Sequence, residues 1–219
     1  MSVNTPSFKK KFDLSHASKK KGQFQLIHNA VDNLDNSYLF IQGPPGTGKT
    51  YSSAKVILDL LKKGKKIAIS SNSHKAINNL LLKIDEFSYD DNFSFKGLKK
   101  FSGSLDNKYE SKNITATTRS RPVTKPYKKG VKLPLYFLSD NYQLLAATKY
   151  ELANPEYHNE FDYLFIDEAG QASIADVVVS ALVAKNLVLI GDPQQLSQPS
   201  NIIHPGDSGM SVLEYILRD

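Results

Sequence analysis

Apolar runs of about four residues recur along the chain and alternate with stretches whose apolar residues return every three to four positions. The first pattern fits a strand buried on both faces, and the second an amphipathic helix laid over such strands. Tyr38-Leu39-Phe40-Ile41 reads as a strand. A Gly/Pro turn follows it, then a helix from Lys49 to Lys63 with Ala54, Ile57, Leu58 and Leu61 on one face and a stop at Gly64. Lys66-Ile67-Ala68-Ile69 is the next strand. Ser73, or the Ser71-Asn72 pair, then caps a helix over roughly 74 to 84 whose stripe is Ile77, Leu80, Leu81 and Ile84. From about 88 to 139 the pattern gives way to a polar, Ser/Asn/Lys-rich region with Pro122, Pro126 and Pro134, which reads as an insertion. Strands resume near Gln143 to Ala147, at 163 to 166 and at 187 to 190. A helix across Ile174 to Ala184 separates the last two, and a final helix opens near Ser208 or Ser211. This alternation predicts an α/β fold: a parallel sheet flanked by crossover helices. No internal repeat or strong low-complexity tract is present, which sets solenoids and coiled coils aside.

Composition narrows the function classes. With 40% hydrophobic residues in 219, the chain can bury a real core as one large domain or two small ones. It has no cysteine, so a disulfide framework, a thiolate zinc site and a thiol nucleophile are all excluded. The five histidines, at 16, 28, 74, 158 and 204, lie too far apart for an HExxH pair. Lys9-Lys10-Lys11 and Lys19-Lys20-Lys21 interrupt the N-terminal region where a signal peptide would carry its apolar run, and no stretch approaches about 18 apolar residues. The expectation is a soluble intracellular protein with no membrane partner, cytoplasmic or, in a eukaryote, nuclear. Charge is unevenly spread. Residues 96 to 132 carry eleven Lys/Arg against Asp106 and Glu110, a net of +9 within a chain of +6 that is otherwise mildly acidic. Such a segment is either a polyanion-binding element or a solvated loop, and Phe101 and Tyr109 within it either stack on bases or pack inward.

Three clusters at strand ends carry chemistry. Gly43-Pro44-Pro45-Gly46-Thr47-Gly48-Lys49-Thr50 satisfies GxxxxGK[ST], placed after a strand and opening a helix. Its glycines let backbone N–H groups converge on phosphate oxygens. Lys49 adds a point charge to the β- and γ-phosphates, and the Thr50 hydroxyl is a Mg²⁺ ligand. Phe161-Asp162-Tyr163-Leu164-Phe165-Ile166-Asp167-Glu168-Ala169 ends an apolar strand in adjacent carboxylates. Asp167 serves the metal, and Glu168 orients and deprotonates an attacking water, the feature that separates a hydrolase from a small-metabolite kinase. Leu187-Val188-Leu189-Ile190-Gly191-Asp192-Pro193-Gln194-Gln195-Leu196 releases another strand into polar residues, either an ordinary strand exit or a place where a neutral amide can sense a γ-phosphate without competing for metal.

Taken together, GPPGTGKT at 43 to 50, SSNSHKAINNLL at 70 to 81, LLAAT at 144 to 148, FIDEAGQAS at 165 to 173 and LIGDPQQLSQ at 189 to 198 resemble the superfamily 1 helicases. The likeness is to the 5′→3′ branch that includes the RNA-surveillance helicase and related DNA-processing enzymes. That resemblance implies a RecA-like P-loop NTPase domain spanning 1–219, the first of two in its parent protein, with the basic 88–139 segment as an accessory insertion. It implies ATP and Mg²⁺ as ligands, and single-stranded DNA or RNA as a partner. It places an adenine-reading glutamine at Gln25, with Gln23 as the alternative. Strand contacts fall at Ser71, Asn72 and Thr148, and coupling of the γ-phosphate to domain movement at Gln171 and Gln195. Ser197 stands where the family has proline. The family's trans-acting arginines belong to a second domain, and Arg119, Arg121 and Arg218 lie in no such motif, so the chain on its own is expected to hydrolyse slowly.

Two other readings remain open. One is a nucleotide-gated nucleic-acid clamp without helicase activity of its own. The other, a P-loop kinase for a small metabolite, conflicts with Glu168 and with the basic segment. Gly206-Asp207-Ser208-Gly209 copies the nucleophile signature of trypsin-like proteases, but that chemistry needs an all-β two-barrel scaffold that this alternating pattern does not make.

Overall fold

The computed structural model describes residues 6–9, 23–44, 46–121, 135–139, 141–192, 206 and 210–217. Its apolar runs become β1 (Tyr38–Gln42), β2 (Ile67–Ser71), β5 (Leu144–Ala146), β6 (Phe161–Asp167) and β7 (Ala184–Gly191), joined by β3 (Gly97–Lys100) and β4 (Ile114–Thr117). The seven pair in the order β1-β7-β6-β2-β5-β3-β4, and every pairing is parallel. The helices are α1 (Gln23–Asp32), α2 (Lys49–Lys62), α3 (His74–Asp90), α4 (Tyr136–Ser139), α5 (Lys149–Leu152), α6 (Ile174–Ala181) and α7 (Val212–Ile216).

The strands read as unbroken apolar runs because both faces of the sheet are covered. Alternate residues divide between two cores. Ile67, Ile69, Tyr163, Phe165, Val188 and Ile190 face a core with Val31 of α1, Ala54, Ile57 and Leu61 of α2, and Ile77, Leu80 and Ile84 of α3. Ala68, Leu164, Ile166 and Leu189 face the other, with Phe137 of α4, Tyr157, Val177 of α6 and Leu213 of α7. Fully burying one such side chain contributes about 1.5–3 kcal/mol, so the two cores specify the layer order as well as stabilise it.

The 88–139 region differs from the pattern reading. Its described part contributes β3 and β4 to the same sheet, continuing the register from Leu144 through Gly97 to Ile114. Gly97-Leu98-Lys99-Lys100 does not look like a buried strand because half of it is lysine, yet Lys99 is fully enclosed. α3 runs on to Asp90, past the expected end near 84, because Asp85 and Ser88 are buried against the following loop. Asn113 Nδ2 donates to Asp85 Oδ1 and to Ser88 Oγ, both at 2.9 Å, and the Tyr109 hydroxyl donates to Asp85 at 2.7 Å. Phe101 is buried and Tyr109 packs on the core, so these two aromatics turn inward. Lys125, Lys128, Lys129 and Lys132 lie outside the described residues.

α1 carries no signal that the pattern reading used. β7 starts at Ala184, three residues before its apolar run, so α6 ends at Ala181 rather than 184. Ser211 caps the last helix through a capping box with Glu214, which decides between the two serine starts.

Candidate nucleotide and nucleic-acid site

The motif residues gather at the carboxyl ends of the strands, the edge where open α/β sheets bind ligands. β1 leads into the P-loop, and Gly43 N–H donates to the Gly191 carbonyl at 3.2 Å, tying the loop to the end of β7. Gly46 and Gly48 adopt φ of 78° and 83°, left-handed values that glycine takes without steric cost. A Cβ on Gly43 would meet Thr47 Oγ1 at 2.7 Å, and that hydroxyl donates to the Pro44 carbonyl at 2.8 Å. Lys49 opens α2, and its ammonium donates to the carbonyls of Gly43 and Pro44, the latter at 2.9 Å. Pro45 lies outside the described residues.

β6 delivers the two carboxylates. The Glu168 N–H donates to Asp167 Oδ1 at 2.9 Å. Burial pushes the Asp167 carboxyl up from its ordinary value, opposed by that N–H and by the Lys49 charge. Glu168 sits in the left-handed region (φ 57°, ψ 35°), a conformation that costs a non-glycine residue on the order of 1–3 kcal/mol. The tight turn Ala169–Gln171 holds it there, with Gln171 N–H donating to the Glu168 carbonyl at 2.9 Å. Its carboxylate reaches across to β2 and accepts from the Ser71 hydroxyl at 3.2 Å.

Close backbone approach explains the glycines of two motifs. A Cβ on Gly170 would lie 2.6 Å from the Asp192 carbonyl oxygen, and one on Gly191 would lie 3.0 Å from Gly170 N and 2.9 Å from Leu213 Cδ1. The turn after Glu168 therefore rests directly on the exit of β7.

One cavity of about 520 Å³ brings together Gly46, Gly48, Lys49, Thr50, Asp167, Glu168 and Gly191, and extends to Tyr51, Asn79, Leu82 and Lys83. Asn79 falls within the 70 to 81 motif but carries no assigned role there, and no motif includes Tyr51, Leu82 or Lys83. Tyr51 directly follows the P-loop Thr50, and the other three lie on the polar side of the α3 stripe, so only the packing of α3 on α2 reveals them.

Gln25 lies exposed on α1, its amide donating to Asn29 Oδ1 at 3.0 Å, and is not among the residues lining the cavity. Gln171 closes the turn after Glu168 and does not line it either. Gln195 and Ser197 lie outside the described residues, as does all of the Gly206–Gly209 signature except Gly206. Ser71 is almost wholly buried and engaged with Glu168. Asn72 follows it, its Nδ2 enclosed without a hydrogen-bond partner among the described residues. Thr148 directly precedes α5, without a side-chain hydrogen bond to the helix end. Asn72 and Lys149 share a water-sized cavity with Asp176, so the ends of β2 and β5 meet at one place.

A family model described as an AAA domain matches residues 19–102 and 96–199. The DNA replication ATP-dependent helicase/nuclease DNA2 of Gallus gallus is 27% identical over 179 residues, covering 81% of this chain and 17% of that protein. The JHS1 protein of Arabidopsis thaliana, of the same description, is 27% identical over 201 residues, covering 90% of this chain and 14% of that protein. The chain thus spans less than a fifth of the length of these relatives. Among solved structures, the UvsW helicase from bacteriophage T4 superposes with a TM-score of 0.48 at 14% identity, over 77% of this chain and 51% of that one. With the family model matched along most of its length and a P-loop strand paired through β7 to a strand ending in Asp-Glu, the chain belongs to the AAA domain family, as a RecA-like domain of the superfamily 1 helicase type.

Proposed function

We propose that the chain binds and hydrolyses ATP with Mg²⁺ and couples that cycle to movement on single-stranded nucleic acid. The observation that carries this is the convergence of Lys49, Thr50, Asp167 and Glu168 on one cavity. Phosphates seated at the N-terminus of the 14-residue α2 meet its exposed N–H groups and positive dipole end, and the Lys49 ammonium exchanges loop carbonyls for β- and γ-oxygens. Thr50 and Asp167 would hold Mg²⁺. Two protein oxygens suit that ion where phosphates complete its shell. The bound ion would neutralise charge developing on the phosphates. Glu168 orients the attacking water and takes its proton, while Ser71 fixes the direction of that carboxylate.

Ser71 ends β2, Asn72 follows it and Thr148 follows β5, and the three form the proposed strand contact, next to the hydrolytic carboxylate. Gln171 and Gln195 are assigned to γ-phosphate sensing, and Gln25 to the adenine edge. A second RecA-like domain in the parent protein is supported by the much greater length of the relatives. No helix among the described residues is long and apolar enough to cross a membrane.

Equilibrium titration with Mg-ATP tests the assignment. Lys49→Ala is expected to lose most of its affinity, and undiminished binding there overturns the P-loop reading. Glu168→Gln is expected to keep Mg-ATP bound while turnover in the full-length protein drops by roughly 10²- to 10⁴-fold, the usual cost of losing a general base.

A further inference from the structure

The strand ends that lead to Asn72 and Thr148 also lead to a lysine. Lys149 directly follows Thr148 and opens α5, and none of the motifs includes it. Its ammonium lies 2.6 Å from a carboxylate oxygen of Asp176, in the first turn of α6. A cation standing at the proposed strand contact is thus neutralised by an acid 27 positions away.

The pair is built to open. Each of its side chains keeps 34% of its surface exposed, a setting in which an ion pair holds weakly and exchanges with competing anions. The same ammonium lies 5.5 Å from the ring centroid of Tyr150, which is 82% exposed, so open solvent begins within one side chain of the pair. A lysine charge sits on a flexible four-carbon stem with three rotatable donors, and can turn from one anion to another while the backbone stays in place.

The groups around it lack acceptors. Asn72 Nδ2 is enclosed with no hydrogen-bond partner among the described residues, beside a water-sized cavity that Lys149 and Asp176 also line. Buried donors in folded proteins are nearly always paired, so an orphan at this place points to a ligand that supplies an acceptor. Thr148 makes no side-chain hydrogen bond to α5. A phosphodiester backbone, whose charged oxygens only accept, fits this donor set, and Asp176 is the group that competes with it.

We propose that Asp176 masks Lys149 in the free domain, and that a single strand takes Lys149 from it as a phosphate contact. This rests on the strand-contact reading and adds to it a cation and an internal competitor for that cation. Strand affinity is therefore held below what the same surface would give with Lys149 free. Movement of Lys149 out of the cavity wall also opens a way to Asn72 Nδ2.

Fluorescence anisotropy of a labelled oligothymidylate with the full-length protein, across a salt series, tests the proposal. Asp176→Asn keeps the size of the side chain and is expected to raise affinity about 2- to 5-fold, the range that a solvent-exposed ion pair contributes. Lys149→Gln is expected to lower affinity and to flatten the salt dependence by about 0.7 log units, the share of one phosphate. In the Lys149→Gln background the gain from Asp176→Asn should largely disappear, because only a repulsion screened beyond about 8 Å at physiological salt remains. Equal gains in both backgrounds overturn the proposal, since the acid then acts on the strand directly. Unchanged or lowered affinity in Asp176→Asn overturns it as well, and makes the pair a structural tie between α5 and α6. Thr148→Ala tests the strand reading separately. If it weakens binding and Lys149→Gln does not, this proposal alone falls; if neither does, the strand lies elsewhere and both fall.

Discussion

Lys99 is a charged residue type with no access to water, and burial holds its amine down at about 7. Its surroundings agree with the neutral form. Ser102 N–H donates to His74 Nε2 at 3.3 Å, which leaves the ring proton on Nδ1, 3.2 Å from Lys99 Nζ, where a neutral amine accepts it. The consequence for stability has a definite sign. Between about 7 and the ordinary lysine value, the unfolded chain binds a proton that the folded one does not, so stability rises with pH at up to about 1.4 kcal/mol per unit. Above about 10 the trend reverses. Burial raises the Tyr109, Tyr157 and Tyr163 hydroxyls, the last to about 12, so the unfolded chain then loses protons that the folded one keeps. Urea unfolding at pH 7.5, 8.5 and 9.5 should show the rise, and Lys99→Met should flatten it. An unchanged slope in that variant would assign the effect to another group.

Between elements, the tightest fit is the turn that follows β6 against the exit of β7. Gly170 has an ordinary backbone conformation, so it is needed for space alone. Gly170→Ala would drive a methyl group into the Asp192 carbonyl and push the Ala169–Gln171 turn away from β7, carrying Glu168 out of reach of Ser71. Overpacking of this kind typically costs about 1–3 kcal/mol. The expected outcome is a lowered melting temperature and a larger loss of turnover than of Mg-ATP affinity, since Lys49 and Thr50 stand on α2 and do not move with the turn. Full activity in Gly170→Ala would show that the turn tolerates the shift. β3, β4 and the end of α3 form a second such unit, closed by the hydrogen bonds of Asp85, Asn113 and Tyr109.

For the whole molecule, the distribution of charge decides how nucleic acid would be held. Part of the basic segment is spent on structure: Lys99 is buried, Arg121 pairs with Glu156 at 2.6 Å, and Lys108 pairs with Glu110 at 2.6 Å. Lys112 and Arg119 are exposed. Because β3 and β4 belong to the sheet, neutralising these two residues tests the segment without breaking the fold. In the full-length protein, Lys112→Gln with Arg119→Gln is expected to weaken single-strand binding equally for all sequences. The salt dependence should flatten by about 0.7 log units for each phosphate that is no longer neutralised. Binding curves that superimpose on the parent across a salt series would show that Lys112 and Arg119 contact no phosphate.

Much of this was legible in the chain itself. GPPGTGKT, the Asp167-Glu168 pair and the apolar runs before them rest on local rules: a turn that only glycine permits, a helix that opens on its caps, and strands covered on both faces. These rules act over about ten residues, so sequence alone carries them. Packing decided the rest. No local pattern announces that Gly97-Leu98-Lys99-Lys100 is a strand, because its register is imposed by β5 and its buried lysine is made tolerable by His74, 25 residues away. Nor does the sequence show that Ser71 holds Glu168 across 97 positions, or that Tyr51 closes a groove with Phe24 and Phe87. Such contacts form between segments that meet only when the two cores close, and their geometry is a property of the assembled layers rather than of any stretch of chain.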